Sequence, residues 1–137
     1  MMQRDELTLR TGTRVVTDIT DDVQRFARTI AATGLLHVFV PHATAGVALM
    51  ETGSGSESDL EEVLGRLLPR DDRYAHRHGS TGHGGDHVLP AFVSPSLTLV
   101  VEDGQVDLGT WQRVVVVDTN RDNEVRRVRL TLLPAAS

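Results

Sequence analysis

Six histidines carry most of the titratable chemistry near neutral pH, and four of them cluster as His76-x-His78-x4-His83-x3-His87. Imidazole is the commonest metal-ligating side chain, and two histidines four apart on a helix can share one ion. Gly84 and Gly85 separate His83 from His87, which argues against a regular helix there. The chain has no cysteine, which removes disulfides, thiol nucleophiles and thiolate metal sites. A metal held by this run would therefore have nitrogen and oxygen ligands, which suits zinc, iron or manganese at a catalytic position. Two other readings stay open: histidines that move protons or bind an anion, and a solvated polar loop.

A second constellation begins at His42, which follows Pro41 and precedes Ala43, Thr44, Ala45 and Gly46. Those small residues let a ligand approach the backbone closely. Glu51 ends the strand expected next, so imidazole and carboxylate would meet at neighbouring strand ends as an acid/base pair or half a metal site. The plainer alternative makes Glu51 a surface turn residue. Arg127 and Arg129 project from one side of the last expected strand, where paired guanidinium groups suit phosphate or carboxylate; a solvated outer face is the alternative. Gly53-Ser54-Gly55 reads as turn chemistry rather than an anion cradle. His37, inside an apolar strand, and the single tryptophan, Trp111, are expected in the core. No lysine is present, so Schiff-base and Walker-type phosphate chemistry are excluded, and no nucleophile elbow is visible for a serine triad.

These residues must be positioned by a small number of elements. Residues 6–16 read as two short strands joined at Thr11-Gly12. Val23, Phe26, Ala27, Ile30 and Ala31 then mark one helix face, with Thr20 as its cap and Gly34 as its stop. Strands follow at 35–40 and 44–50. Leu60, Val63, Leu64, Leu67 and Leu68 form a second helical stripe, opened by a capping box at Ser56 and Asp59 and ended by Pro69. Residues 70–86 are a long polar loop, and long loops in compact domains are usually functional. A short helix is expected at 88–92, a strand at 96–101, an Asp103-Gly104 hairpin turn, an apolar strand at 114–117 buried on both faces, and a last alternating strand through Val128, Leu130 and Leu132.

With 137 residues, the chain suits one domain, 1–137, of the α+β class. Its net charge of -5 argues against nucleic-acid binding, and no apolar run is long enough for a membrane span. The N-terminal segment lacks an apolar signal core, so a cytoplasmic location is expected. No organic cofactor is expected.

Taken together, the motifs resemble the YjbQ family, described as secondary thiamine-phosphate synthase. The resemblance runs through His42-Ala43-Thr44-Ala45-Gly46 and Glu51, Leu67-Leu68-Pro69, Tyr74-Ala75-His76, Gly82-His83-Gly84 and His87. It continues through Pro95-Ser96-Leu97-Thr98, Gly104, Gly109-Thr110-Trp111-Gln112 and the arginines Arg126, Arg127 and Arg129. Met50 stands where the family carries asparagine, and Gly53-Ser54-Gly55 replaces its Asp-Pro. The resemblance implies a mixed, mostly antiparallel sheet with two main helices and a short third, assembled as a homotrimer. It also implies a weak activity joining a pyrimidine pyrophosphate to a thiazole phosphate. On this basis Glu51, His42 and His87 are candidate catalytic residues, and His42, His83 and His87 are candidate ligands of a divalent metal. Thr44, Gly46, Trp111, Gln112, Arg127 and Arg129 are candidates for holding a small phosphorylated molecule. A non-catalytic metabolite- or metal-binding protein and a metal-assisted phosphate-ester hydrolase are the alternative functions.

Overall fold

The computed structural model describes residues 1–136; Ser137, the end of the expected domain, lies outside the described residues. The strands are β1 (Gln3–Arg10), β2 (Val16–Asp18), β3 (Gly34–Phe39), β4 (Ala45–Met50), β5 (Ser96–Glu102), β6 (Gln105–Val106), β7 (Arg113–Asp118) and β8 (Val125–Pro134). The helices are α1 (Thr20–Ile30), α2 (Ser56–Leu67) and the single turn α3 (His83–Asp86), with a 3-10 turn at Leu89–Ala91. Five strands form one sheet in the order β1-β8-β3-β5-β6, and β2-β7-β4 form a second. Every pairing is antiparallel. The α+β class and its two main helices plus a short third are therefore as the sequence implies, with the strands divided between two sheets.

The layers follow from side-chain alternation. Leu36 and Val38 of β3, Leu99 and Val101 of β5, and Val128, Leu130 and Leu132 of β8 turn one face of the larger sheet inward. They meet Val114 and Val116 of β7 together with Val23 and Ala27 of α1. Val115 and Val117 point the other way, into a second cluster with Leu64 of α2 and Leu89. The smaller sheet is thus the middle layer, and β7 is buried on both faces, as its unbroken valine run predicts. Each fully buried valine or leucine contributes about 1.5–3 kcal/mol of transfer free energy.

Several local expectations need correction. The two N-terminal strands are not a hairpin: β1 pairs with β8, and β2 joins the other sheet beside β7. Residues 35–40 are buried on one face only, so Leu35 is 46% exposed and His37 sits on the solvent face rather than in the core. The opposite faces of β3 and its neighbours differ because only one is covered by the smaller sheet. Helix α1 ends at Ala31 in the left-handed region, three residues before Gly34. Its start is capped from Asp18, whose Oδ1 accepts the Thr20 N–H at 2.9 Å, while Thr20 Oγ1 accepts the Val114 N–H at 2.8 Å. The capping box of α2 is not formed; Glu57 instead reaches back to the Gly53 N–H at 3.0 Å.

Gly46 has a packing role. A Cβ there would lie 2.0 Å from the carbonyl oxygen of Val93, where residues 93–94 close the outer edge of β4 and Val47 N–H donates to Ser94 O at 2.8 Å. Only glycine admits that approach.

Candidate functional site

Four imidazoles converge where the loop after α2 meets α3. The ligating atoms of His76, His78, His83 and His87 all lie within 4.8 Å of one another. His83 Nε2 and His87 Nε2 are 2.9 Å apart, and the His76 and His78 rings are 3.9 Å apart between centroids. Tetrahedral bonds of about 2.0–2.1 Å place ligand nitrogens roughly 3.4 Å apart, so small ring rotations suffice to gather these atoms around one ion.

The glycines between the histidines explain why a helical turn forms against their propensity. A Cβ on Gly84 would lie 2.5 Å from His76 O, and one on Gly85 would lie 2.7 Å from the Tyr74 hydroxyl. Close packing of the 74–76 segment therefore requires glycine, and it also brings His76 and His78 over His83 and His87. The Tyr74 hydroxyl donates to Pro69 O at 2.7 Å and fixes that packing. Gly84 and Gly85 argue against a regular helix, and what forms is a single turn, His83–Asp86, held by this contact.

Beneath the histidines lies a charged network. Asp86, 1% exposed, takes two bonds from Arg70, at 2.7 and 3.2 Å, and one from Thr119 Oγ1 at 2.6 Å. Two-pronged guanidinium–carboxylate pairing of this kind is strong and geometrically fixed. Asp122, on the loop between β7 and β8, accepts the Ser80 N–H at 3.0 Å. That loop is organised by Arg126, 1% exposed, which binds the carboxylate of Asp118 and the carbonyls of Asn120, Asn123 and Val125. Burial pushes the Asp118 carboxyl up from its usual value, while the Asn120 N–H, Arg126 and Thr44 oppose that shift. The cluster opens onto a small cleft of about 90 Å³ that Asp72, Tyr74, Arg77 and Ser80 help to wall.

The remaining candidate residues lie elsewhere. His42 does not join the cluster: its Nε2 accepts the backbone N–H of Arg127 at 2.8 Å, which occupies the lone pair a metal would use. Burial and the Arg126 charge hold its pKa below the ordinary imidazole value. Thr44 Oγ1 donates to Asp118 at 3.3 Å and so belongs to the Arg126 network. Glu51 does not meet His42. They flank opposite ends of β4, whose Ala45 pairs with Asp118 and whose Met50 pairs with Arg113. Five strand rises separate those ends by roughly 17 Å. Trp111 and Gln112 share Glu51's end of the smaller sheet; Trp111 is 72% exposed rather than core, and Gln112 closes a turn by accepting the Gly109 N–H at 2.8 Å. Arg127 and Arg129 lie on the exposed face of the larger sheet, where Glu6 approaches them at 3.9 and 3.2 Å.

Sequence reasoning assigned His83 and His87 as metal candidates but left His76 and His78, although their spacing was visible, outside the ligand set. It missed Arg70, Asp86, Thr119 and Asp122 altogether. Asp86 was in view, three residues after His83, but nothing local marks it as a partner of Arg70 and Thr119; Thr119 and Asp122 reach the histidines only when the β7–β8 loop packs against α3.

Mutual proximity also sets an acid limit. Burial and then the neighbouring imidazoles hold His76 and His87 below their ordinary pKa. The unfolded chain therefore takes up protons that the folded cluster refuses, and folding stability falls as pH drops through about 6.5. Hydrogen exchange of the metal-free protein is expected to show residues 76–87 opening between pH 7 and 5, ahead of β7. Unchanged protection across that window would contradict this expectation.

The comparisons with known proteins agree with the fold. A family model described as "UPF0047 protein YjbQ-like" matches residues 5–135. The UPF0047 protein Rv2556c of Mycobacterium tuberculosis is 58% identical over 132 residues, covering 96% of this chain and 98% of its own. A hypothetical protein of Aeropyrum pernix K1 of known crystal structure superposes with TM-score 0.88 at 29% identity, covering 97% of this chain and 99% of its own. A YbjQ-like protein of unknown function from Sulfolobus solfataricus P2 shares the fold, with TM-score 0.90 at 20% identity, covering 98% and 99%.

Proposed function

The chain belongs to the YjbQ-like UPF0047 family, and from that premise we propose that it is a cytoplasmic, homotrimeric metalloprotein that acts on a small phosphorylated molecule. The observation that carries this reading is the convergence of four imidazole nitrogens within 4.8 Å. His76, His78, His83 and His87 would hold zinc, iron or manganese, with Asp86 and Asp122 behind them. A bound divalent ion supplies Lewis acidity toward a phosphoryl or leaving-group oxygen. Arg77, which donates to Tyr74 O at 3.1 Å and has no carboxylate partner among the described residues, stands at the cleft to meet an anionic group. It replaces Arg127 and Arg129 in that role, since Glu6 engages both on another face. The synthase reaction implied by the resemblance expels pyrophosphate, and such charge neutralisation assists that departure.

The homotrimer is supported by an exposed apolar row on the larger sheet. Leu133, Leu35 and Val100 lie side by side in register and are 53%, 46% and 52% exposed. Contiguous apolar surface of this kind marks a contact face.

A non-catalytic metal- or metabolite-binding protein is the second reading. It is favoured by Glu51, the expected acid/base, which follows the end of β4 that pairs with Arg113, whereas the histidine cluster is tied through Asp86 to Thr119, beyond the other end of β7.

Elemental analysis of untagged protein never exposed to chelator tests the proposal. About one divalent ion per chain is expected, with a light-scattering mass of about three times 15.0 kDa. Absence of bound metal after incubation with zinc, iron(II) and manganese would refute the metal reading, and a monomer mass would refute the trimer. Retained metal without turnover of pyrimidine pyrophosphate with thiazole phosphate, or of phosphate esters with water, would favour the binding reading.

A further inference from the structure

Two carboxylates flank the inner nitrogen of His83. Asp122 Oδ2 lies 3.1 Å from Nδ1, and Asp86 Oδ2 lies 3.4 Å from it. The His83 side chain is only 8% exposed, and its Nδ1 is buried without a well-directed hydrogen bond. A buried ring nitrogen is seldom left in that state. The capacities of the two carboxylates differ. Asp86 is already bound by both Arg70 nitrogens and by Thr119 Oγ1. Asp122 is engaged by Ser80, whose N–H it accepts on the same Oδ2 that faces His83, and by no guanidinium among the described residues, and so has acceptor capacity to spare.

We propose that Asp122 is the positioning residue of the centre: it accepts the Nδ1–H of His83 and thereby presents Nε2 as the metal-binding atom. This rests on the metal reading of the histidine cluster. Nε2 is the nitrogen that faces His87 Nε2 at 2.9 Å, on the side the four rings share. A carboxylate behind a ligating imidazole fixes its tautomer and ring orientation and raises its basicity. A slight turn of the His83 ring toward Asp122 aligns the bond. The loop that carries Asp122 is held by the buried Arg126 guanidinium, so the carboxylate is presented from a fixed support. Asp86, in contrast, serves to anchor Arg70 and Thr119 beneath α3.

Cobalt(II) titration of the full chain, followed by absorbance, tests this assignment. Asp122→Asn keeps an amide oxygen for the Ser80 N–H but loses the charge. It is expected to raise the cobalt Kd about 10–100-fold and shift the cobalt absorption band, with the metal-free melting temperature unchanged. Asp122→Glu is expected to recover most of the affinity. An Asp122→Asn variant with wild-type Kd and spectrum would overturn the proposal and leave Asp122 as a loop clamp. So would a spectral shift produced by Asp86→Asn and not by Asp122→Asn. Failure of the wild-type chain to bind cobalt would instead remove the metal reading itself, an outcome distinct from a variant that matches wild type.

Discussion

Alanine in place of His83 or His87 is expected to strip the centre of metal, whereas alanine in place of His42 leaves the metal content unchanged. The two cluster residues face each other at 2.9 Å through Nε2, and each offers a nitrogen to the shared point. Outer-shell partners of metal-bound histidine are worth about 10–100-fold in affinity, so a direct ligand costs more than that. His42 is expected to be silent because its Nε2 already accepts the Arg127 N–H and it stands outside the cluster. Elemental analysis after exhaustive dialysis reads the result. Metal lost from the His42 variant and kept in the His87 variant would invert the assignment.

The second large effect is on stability. Arg126→Ala removes a guanidinium that is 1% exposed and leaves the buried Asp118 carboxylate facing only Thr44 and the Asn120 N–H. Breaking a buried ion pair by deleting one partner costs about 3–5 kcal/mol, because the remaining charge is stranded. For a chain of this size that corresponds to a melting-temperature fall of roughly 10–20 °C. Three backbone carbonyls of the β7–β8 segment lose their donor as well, so the fall is accompanied by weakened metal binding through Asp122. Calorimetry of the metal-free protein checks the first part; a loss below about 1 kcal/mol would show that the guanidinium is replaceable by water.

What the sequence shows and what it hides divide along a physical line. Periodicity located both main helices, because the apolar stripes of α1 and α2 are local properties of the chain. The valine run announced a strand buried on both faces for the same reason. Strand partners were not legible. The segment holding Thr11-Gly12 looks like a hairpin turn, yet the strands on either side belong to different sheets, and only long-range pairing decides that. Position on a face was equally obscure for His37, which has apolar neighbours, and for Trp111, expected inside from its residue type alone; both are exposed because no described element covers them. At the site, the histidine spacing was visible but the carboxylates behind it were not. Asp86 sits one helical turn after His83 with nothing in its neighbours to mark it, and Asp122 reaches the histidines only when α3 meets the β7–β8 loop.

The pairing of β1 with β8 has a kinetic consequence. Gln3 lies opposite Leu132, so the first strand finds its partner only at the far end of the chain. Closing so long a loop carries entropy that no local contact offsets, and topologies dominated by such pairings fold slowly. β3 also pairs with β8, so the surface that β1 needs exists only after the carboxyl-terminal strand has docked. During synthesis the amino-terminal strand must therefore wait, unpaired, until nearly the whole chain has emerged. Joining the two ends with a short linker and opening the chain at the Asp103-Gly104 turn would turn that remote contact into a hairpin and speed the closing step.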